Sequence, residues 1–450
     1  MISVHHRRRA CLVAVATVVA LLAGACGTTA APPAPDTALE EVRTMLAARV
    51  ELLVAKDTDA YLAAAVEGAR PLEEAIARGA AAVPLAFVNL VFNPAGRPDA
   101  DAAEFRDAEL EIVYGYEDFP QDNRFRFGLR YDLERRAGTW VVTGSRHDPM
   151  PGPDALPDPA RDDPVDDDGD PGENSAAAEA EARFDRSLPL PFWARFPTGS
   201  TRSEHFLFLH PPGLAGVDRV AALAEQAREQ LVPRLRFGRA DQIHLVVLAR
   251  DRAAYAEVLE DDGAAASLAL VNVLYIPFAP PEGRHMTVNL QAVLGQDDVV
   301  AGHAGEVSAA AILQHELAHL ALARVDSPFT PSWVQEGAAM YLAGERRIDS
   351  WTLGLERGAF DGVSIGGLAE DENLSDGLDY AYVNAAVSFL VEEFGTEKFW
   401  EFYIRFQPVV DSVVFNDNVG DFVLQGVYDM DLRELDRRTR RWMAGAVATR

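Results

Sequence analysis

The chain has 450 residues, 48% of them hydrophobic, and a formal charge of -29. That length exceeds one ordinary domain and suits two or three, and the apolar share is enough to build large cores. The acidic balance argues against nucleic acid as a partner, because a phosphate backbone demands a basic face.

The first residues read as a targeting segment. His5, His6 and Arg7 to Arg9 form a positive head before an apolar run over 10–22, which is too short to span a bilayer. The run ends in Leu21-Leu22-Ala23-Gly24-Ala25-Cys26-Gly27. Small residues just before a cysteine resemble the lipobox of bacterial lipoproteins, which implies removal of residues 1–25 and a lipid on Cys26, although Ala23 stands where that pattern prefers leucine. Ordinary signal cleavage and release is the other reading. Under both the protein is expected to be exported, either held at the outer face of the cell membrane by an N-terminal lipid anchor or secreted. The cysteines are Cys11 and Cys26 alone, so the body of the chain is expected to have no disulfide and no thiolate metal ligand.

Residues 26–36 are Pro/Ala-rich and read as a tether. Beyond them Leu39, Val42, Leu46, Val50 and Leu53 recur at three- and four-residue steps, which predicts a helix with one apolar stripe. Helical pattern continues over 59–80, broken at Gly68 and Pro71. The period then changes to two. Leu110, Ile112, Tyr114 and Tyr116 alternate with polar residues, every odd position over 125–133 is apolar, and Trp140-Val141-Val142 follows the turn at Ala137-Gly138. Alternation of this kind predicts a one-sided antiparallel sheet. Helices followed by a sheet ending in GTWVVTGS resemble the cone-shaped nuclear-transport-factor-2-like fold, over residues 37–148.

Over 149–186 the composition collapses to proline, aspartate and alanine, with almost nothing large and apolar to bury, and a disordered acidic linker is expected. The run Asp166-Asp167-Asp168-Gly169-Asp170 lacks the glutamate that would close a calcium loop, so a solvated linker is the favoured reading. In the last region, 187–450, strands are predicted over 204–210, 242–250 and 286–293, and a helix over 217–231. Helices dominate afterwards, over 307–323, 332–344, 380–394, 396–406 and 431–444. The fold class expected for the whole is α+β.

Chemistry concentrates in one stretch, Gln314-His315-Glu316-Leu317-Ala318-His319. Each helical residue advances about 100°, so His315 and His319 stand one turn apart on one face and can meet a single ion. Glu316 is displaced by one residue, close enough to a water on that ion to take its proton without being a ligand. Leu313, Leu317 and Leu320 point toward a core. Three fixed positions arise by chance in on the order of one chain in a hundred of this length, so a third ligand is needed to carry the reading. Beyond Pro328 and Pro331 a second helical pattern, Ser332-Trp333-Val334-Gln335-Glu336-Gly337, can fold back and bring Glu336 to the same ion. Two histidines and a carboxylate leave a fourth position open, the arrangement of a catalytic zinc. His303 and His285 read as solvent-facing histidines.

The sequence HELAH, the proline turn and WVQEGAAMYL resemble the gluzincins, and more closely the peptidase-MA-like group of secreted bacterial proteins. The likeness extends through Tyr380-Ala381-Tyr382, FLVEEFG and GVYDMDLRELDRRTRRWM. It implies zinc (Zn2+) on His315, His319 and Glu336, Glu316 as general base, and Tyr380, with Tyr382 as fallback, as an oxyanion donor. It also implies that the strand before the motif helix is a sheet edge for an extended substrate backbone, with a plain structural edge as the competing reading. Met340 departs from the pattern, because family members often carry there an acid that braces a ligand histidine; Glu345 or another acid is expected to substitute. The expected activity is hydrolysis of a peptide or protein substrate. The rival is a zinc-bearing but catalytically silent protein whose first domain binds a peptide or small ligand.

Overall fold

The computed structural model describes residues 35–93, 103–148, 190–237, 242–260, 268–274, 282–299, 308–327, 330–370, 377–407 and 419–449. The targeting segment, Cys26, nearly all of the tether, the acidic linker, His303 and Pro328 lie outside them. The chain is α+β. Among the described residues no helix is long and apolar enough to cross a membrane.

Helices α1 (Pro35–Val54), α2 (Thr58–Ala63) and α3 (Arg70–Ala82) precede strands β1 (Leu85–Asn93), β2 (Glu104–Tyr116), β3 (Phe125–Arg136) and β4 (Thr139–Asp148). The strands form one antiparallel meander in sequential order. Ala38, Val42, Leu46, Val50 and Leu53 are the buried stripe of α1, with Leu39 only half-buried. The helical pattern is broken between Ala63 and Arg70, around Gly68, and Pro71 stands at the start of the next helix, α3, where a missing N–H has no intrahelical acceptor to lose. Strand β1 escaped the sequence reading because LAFVNLVFN is apolar at both parities and is bulged between Leu85 and Phe87.

The second unit starts with α4 (Phe192–Arg195), β5 (Gly199–Arg202), β6 (Phe206–His210), α5 (Val217–Leu231), β7 (His244–Ala249), α6 (Arg252–Leu259), β8 (Ala269–Leu274) and β9 (Glu282–Asn289). The sheet order is β5-β6-β7-β9-β8, parallel from β6 through β7 to β9 and antiparallel at both margins. Two expectations are corrected here. The strand before the motif helix, β9, is internal, because β8 pairs along its outer side. It also ends at Asn289 and does not reach residue 293: the Asn289 Oδ1 accepts the Ala292 N–H at 3.2 Å and the chain turns into α7 (Leu290–Val299).

Helices α8 (Ala309–Leu322), α9 (Ser332–Ala343), α10 (Ile348–Glu356), α11 (Ile365–Glu370), α12 (Gly377–Phe394), α13 (Thr396–Ile404), α14 (Val419–Tyr428) and α15 (Leu432–Ala448) complete the chain. Their apolar faces share one core with one side of the second sheet, including Phe206, Phe208, Val246, Leu248, Met286 and Val288. The opposite side of that sheet gives Leu207, Leu209 and Leu245 to the core of the first unit. A sheet covered on both faces explains why FLFLH and HLVVLA read as unbroken apolar runs.

The two units are joined by more than apolar contact. Trp193 of α4 lies edge-on to Tyr114, with ring centres 5.4 Å apart, and a side chain at Gly79 would strike its backbone. At the β2–β3 turn, the Asn123 side chain donates to the Arg284 carbonyl at 3.2 Å and accepts the Arg284 N–H at 2.9 Å. Arg126 donates to Glu282 at 2.6 Å, and Asp122 pairs at 2.8 Å with Arg324, just past the end of α8. His285 packs its ring against Phe125 in this junction, a different setting from the solvent-facing one expected of it.

Candidate metal centre

Helix α8 starts at Ser308, whose hydroxyl accepts the Ala311 N–H at 3.2 Å, and runs through alanines and leucines that favour the helical state. Leu313, Leu317 and Leu320 face the core and are at most 2% exposed. His315 and His319 then share the opposite face. Pro331 sets the extended entry to α9, with Glu336 one turn inside it. Helix α9 packs so close to α12 that a methyl at Gly337 would meet Val387 Cγ2 at 2.3 Å. Gln314 donates across to the Leu342 carbonyl at 3.4 Å, tying α8 to α9, and Gln335 donates to Asp326 at 2.9 Å, tying down the connection between them.

This packing brings His315, His319 and Glu336 together. One ligand atom from each lies within 4.8 Å of the others, a cluster that can hold a metal ion. His315 Nε2 is 3.1 Å from Glu336 Oε2 and 3.1 Å from His319 Nε2, and His319 Nε2 is 3.4 Å from Glu336 Oε1. A tetrahedral ion with bonds of about 2.0 Å sets its ligand atoms about 3.3 Å apart, so the donors already stand at the separations such an ion requires.

The other side of His315 settles which electron pair faces the cluster. Its Nδ1 lies 3.1 Å from Glu345 Oε1. A carboxylate only accepts, so Nδ1 carries a hydrogen, which leaves Nε2, beside Glu336 and His319, as the nitrogen that can bind a metal once its own proton is lost. Lone pairs and a carboxylate pointing at one another call for a cation among them. Without metal that cation is a proton: burial lowers the affinity of the His315 imidazole for it, but Glu336 and Glu345 outweigh burial and raise its pKa well above the ordinary histidine value. Burial likewise pushes the Glu336 carboxyl up, and the two histidines more than reverse this, holding it far below the usual range.

Glu316 is raised, chiefly by burial, with the histidines opposing and Glu336 and Glu345 adding. Tyr380, on α12, stands in the same field: Glu336 first, then burial and Glu316, raise its phenol well above the ordinary value, and the Arg347 guanidinium lies over its ring at 5.3 Å. Tyr382 is committed elsewhere, donating to Asp436 at 3.1 Å and accepting from Arg440 at 3.1 Å. Met340 is fully buried in the apolar core. The carboxylate on His315 comes from Glu345, beyond the end of the helix, a position whose contacts depend on a turn that spacing alone does not display.

No protein-family model matches the chain, and no curated protein matches it. Among solved structures it is similar to a mutant M1 zinc metallopeptidase from Deinococcus radiodurans, at 15% identity and a TM-score of 0.26, over 55% of this chain and 51% of that one. The chain thus matches about half the length of that protein. A likeness this slight carries no argument, and the functional reading rests on the geometry.

Proposed function

We propose that the protein is an exported zinc-dependent metallopeptidase that hydrolyses peptide bonds, with His315, His319 and Glu336 as ligands. The observation that carries this reading is the convergence of those three donors at tetrahedral separations while the adjacent Glu316 stays outside the ligand set. Zinc bound there would supply a Lewis acid that polarises a carbonyl and acidifies a water. Glu316, its carboxyl raised by burial, takes the proton of the attacking water and returns it to the leaving amine. Tyr380, held protonated by the surrounding acids, donates its O–H to the oxygen that gains charge.

In the same reading, residues 1–25 are a signal segment, Cys26 carries a lipid, 26–36 and 149–186 are tether and linker, and 37–148 and 187–450 are the two folded domains. Cys26→Ser would then move the protein from membranes to the soluble fraction. The rival reading is a zinc-bearing but catalytically silent protein whose first domain binds a peptide or small ligand, and such a ligand would have to sit outside that domain's packed interior. The interior lined by Leu46, Arg49, Tyr61, Phe127 and Tyr131 leaves about 10 Å³, room for one water at most.

The deciding experiment uses the full chain against a broad peptide library, with and without chelator. Glu316→Gln keeps the shape of the side chain but removes the proton acceptor, so it should retain zinc and thermal stability while cleaving about 10² to 10⁴ times more slowly. A zinc-loaded parent that cleaves nothing across the library would end the peptidase reading.

A further inference from the structure

We propose that Glu345, on the turn that ends α9, is the positioning carboxylate of His315, held there by Asn384 and Arg347. The proposal rests on reading His315 as a metal ligand.

The argument begins with the helix end. Gly344 closes α9 in the left-handed region, at φ 74°. Its N–H donates to the Tyr341 carbonyl at 3.0 Å, and the Glu345 N–H donates to the Met340 carbonyl at 2.9 Å. That paired closure reverses the chain within two residues and turns Glu345 back toward α8. Its two oxygens are then divided: Oε1 meets His315 Nδ1 at 3.1 Å, and Oε2 accepts from Arg347 Nη2 at 3.0 Å. The Glu345 side chain is only 9% exposed, so its charge depends on these partners.

A second element fixes the turn. Asn384 of α12, 1% exposed, accepts the Arg347 N–H at 3.1 Å and donates to the Glu345 carbonyl at 3.1 Å. Asn384 and Tyr380 stand one helical turn apart, and Arg347 covers the Tyr380 ring. One face of α12 thereby sets both the turn that carries Glu345 and the phenol beside the ligands. A carboxylate on the far nitrogen fixes the tautomer and orientation of a ligand histidine and strengthens its donation. Met340, within α9, is sealed in the core and offers His315 no carboxylate.

The test is a zinc competition titration of the full chain against a chromophoric chelator, paired with the visible spectrum of the cobalt(II) form. Glu345→Ala should weaken zinc binding by about 10- to 100-fold and shift the cobalt bands. Glu345→Gln, whose amide oxygen still accepts from Nδ1, should shift both less and in the same direction. Zinc affinity within twofold of the parent and unchanged cobalt bands in Glu345→Ala would overturn the proposal. Should the alanine variant fail to fold, unchanged bands in Glu345→Gln would do so. A parent that binds no zinc would instead remove the metal-site reading on which this one stands.

Discussion

Each half of the molecule buries a cluster of charge, and the two are built to opposite ends. In the first unit Glu73 is wholly buried and Arg49 is 4% exposed. Glu73 accepts from Arg49, Tyr61 and Ser145, each at 2.6 Å, while Arg49 also donates to the Tyr61 carbonyl at 3.1 Å and to the Tyr131 hydroxyl at 3.2 Å. Donors and acceptors match, and nothing further is needed. In the second unit Glu336 and the imidazoles of His315 and His319 converge on one point, held without metal by a proton on His315 that an ion could replace. A buried cluster whose charges neutralise one another at fixed places reads as structure, and one whose donors converge on a single exchangeable cation reads as a site.

The sharpest way to break this contrast is His319→Ala, since a methyl cannot replace an imidazole ligand. Zinc content should fall from about one ion per chain to near zero, measured by metal analysis after dialysis. Retained zinc would remove the cluster from the metal reading.

Arg49→Met probes the other half. Removing one partner leaves Glu73 buried without its counter-ion, which costs about 3–5 kcal/mol, read as a lower midpoint in denaturant. Zinc affinity should be unaffected at temperatures where the variant is folded. A variant of unchanged stability would show that the first cluster is not the internally satisfied one.

The third expectation concerns pH. His315 in the metal-free protein has a pKa raised above its unfolded value of about 6.5. Protonation therefore stabilises the metal-free fold fully below about 6.5, and that contribution is lost as pH rises through the raised value. Zinc must displace the same proton, so apparent zinc affinity should climb about tenfold per pH unit below that value. Thermal melts with and without zinc across pH would check both signs: zinc-free stability should fall as pH rises between about 6.5 and the raised value, and the extra stability that zinc adds should grow over the same interval.

The smallest effect is expected at Met340. It fills core volume and lies outside the ligand brace, so Met340→Leu should cost less than about 1.5 kcal/mol and leave zinc affinity alone. A clear loss of zinc affinity in that variant would return this position to the site.

Local pattern was enough for much of the chain. The stripe of α1, the alternation in β2 and β3, the limits of α5 at Val217 and Leu231, and the i, i+4 pair His315 and His319 all depend on periods written into neighbouring residues. Strand order, the internal position of β9, the covering of the second sheet on both faces and the seat of Glu345 on His315 do not. Each is decided by residues far apart in the chain: β8 pairing outside β9, Leu207 and Leu245 meeting the first unit, Asn384 fixing a turn some forty residues before it. Periodicity reports which face of an element is apolar, and only packing decides what that face meets.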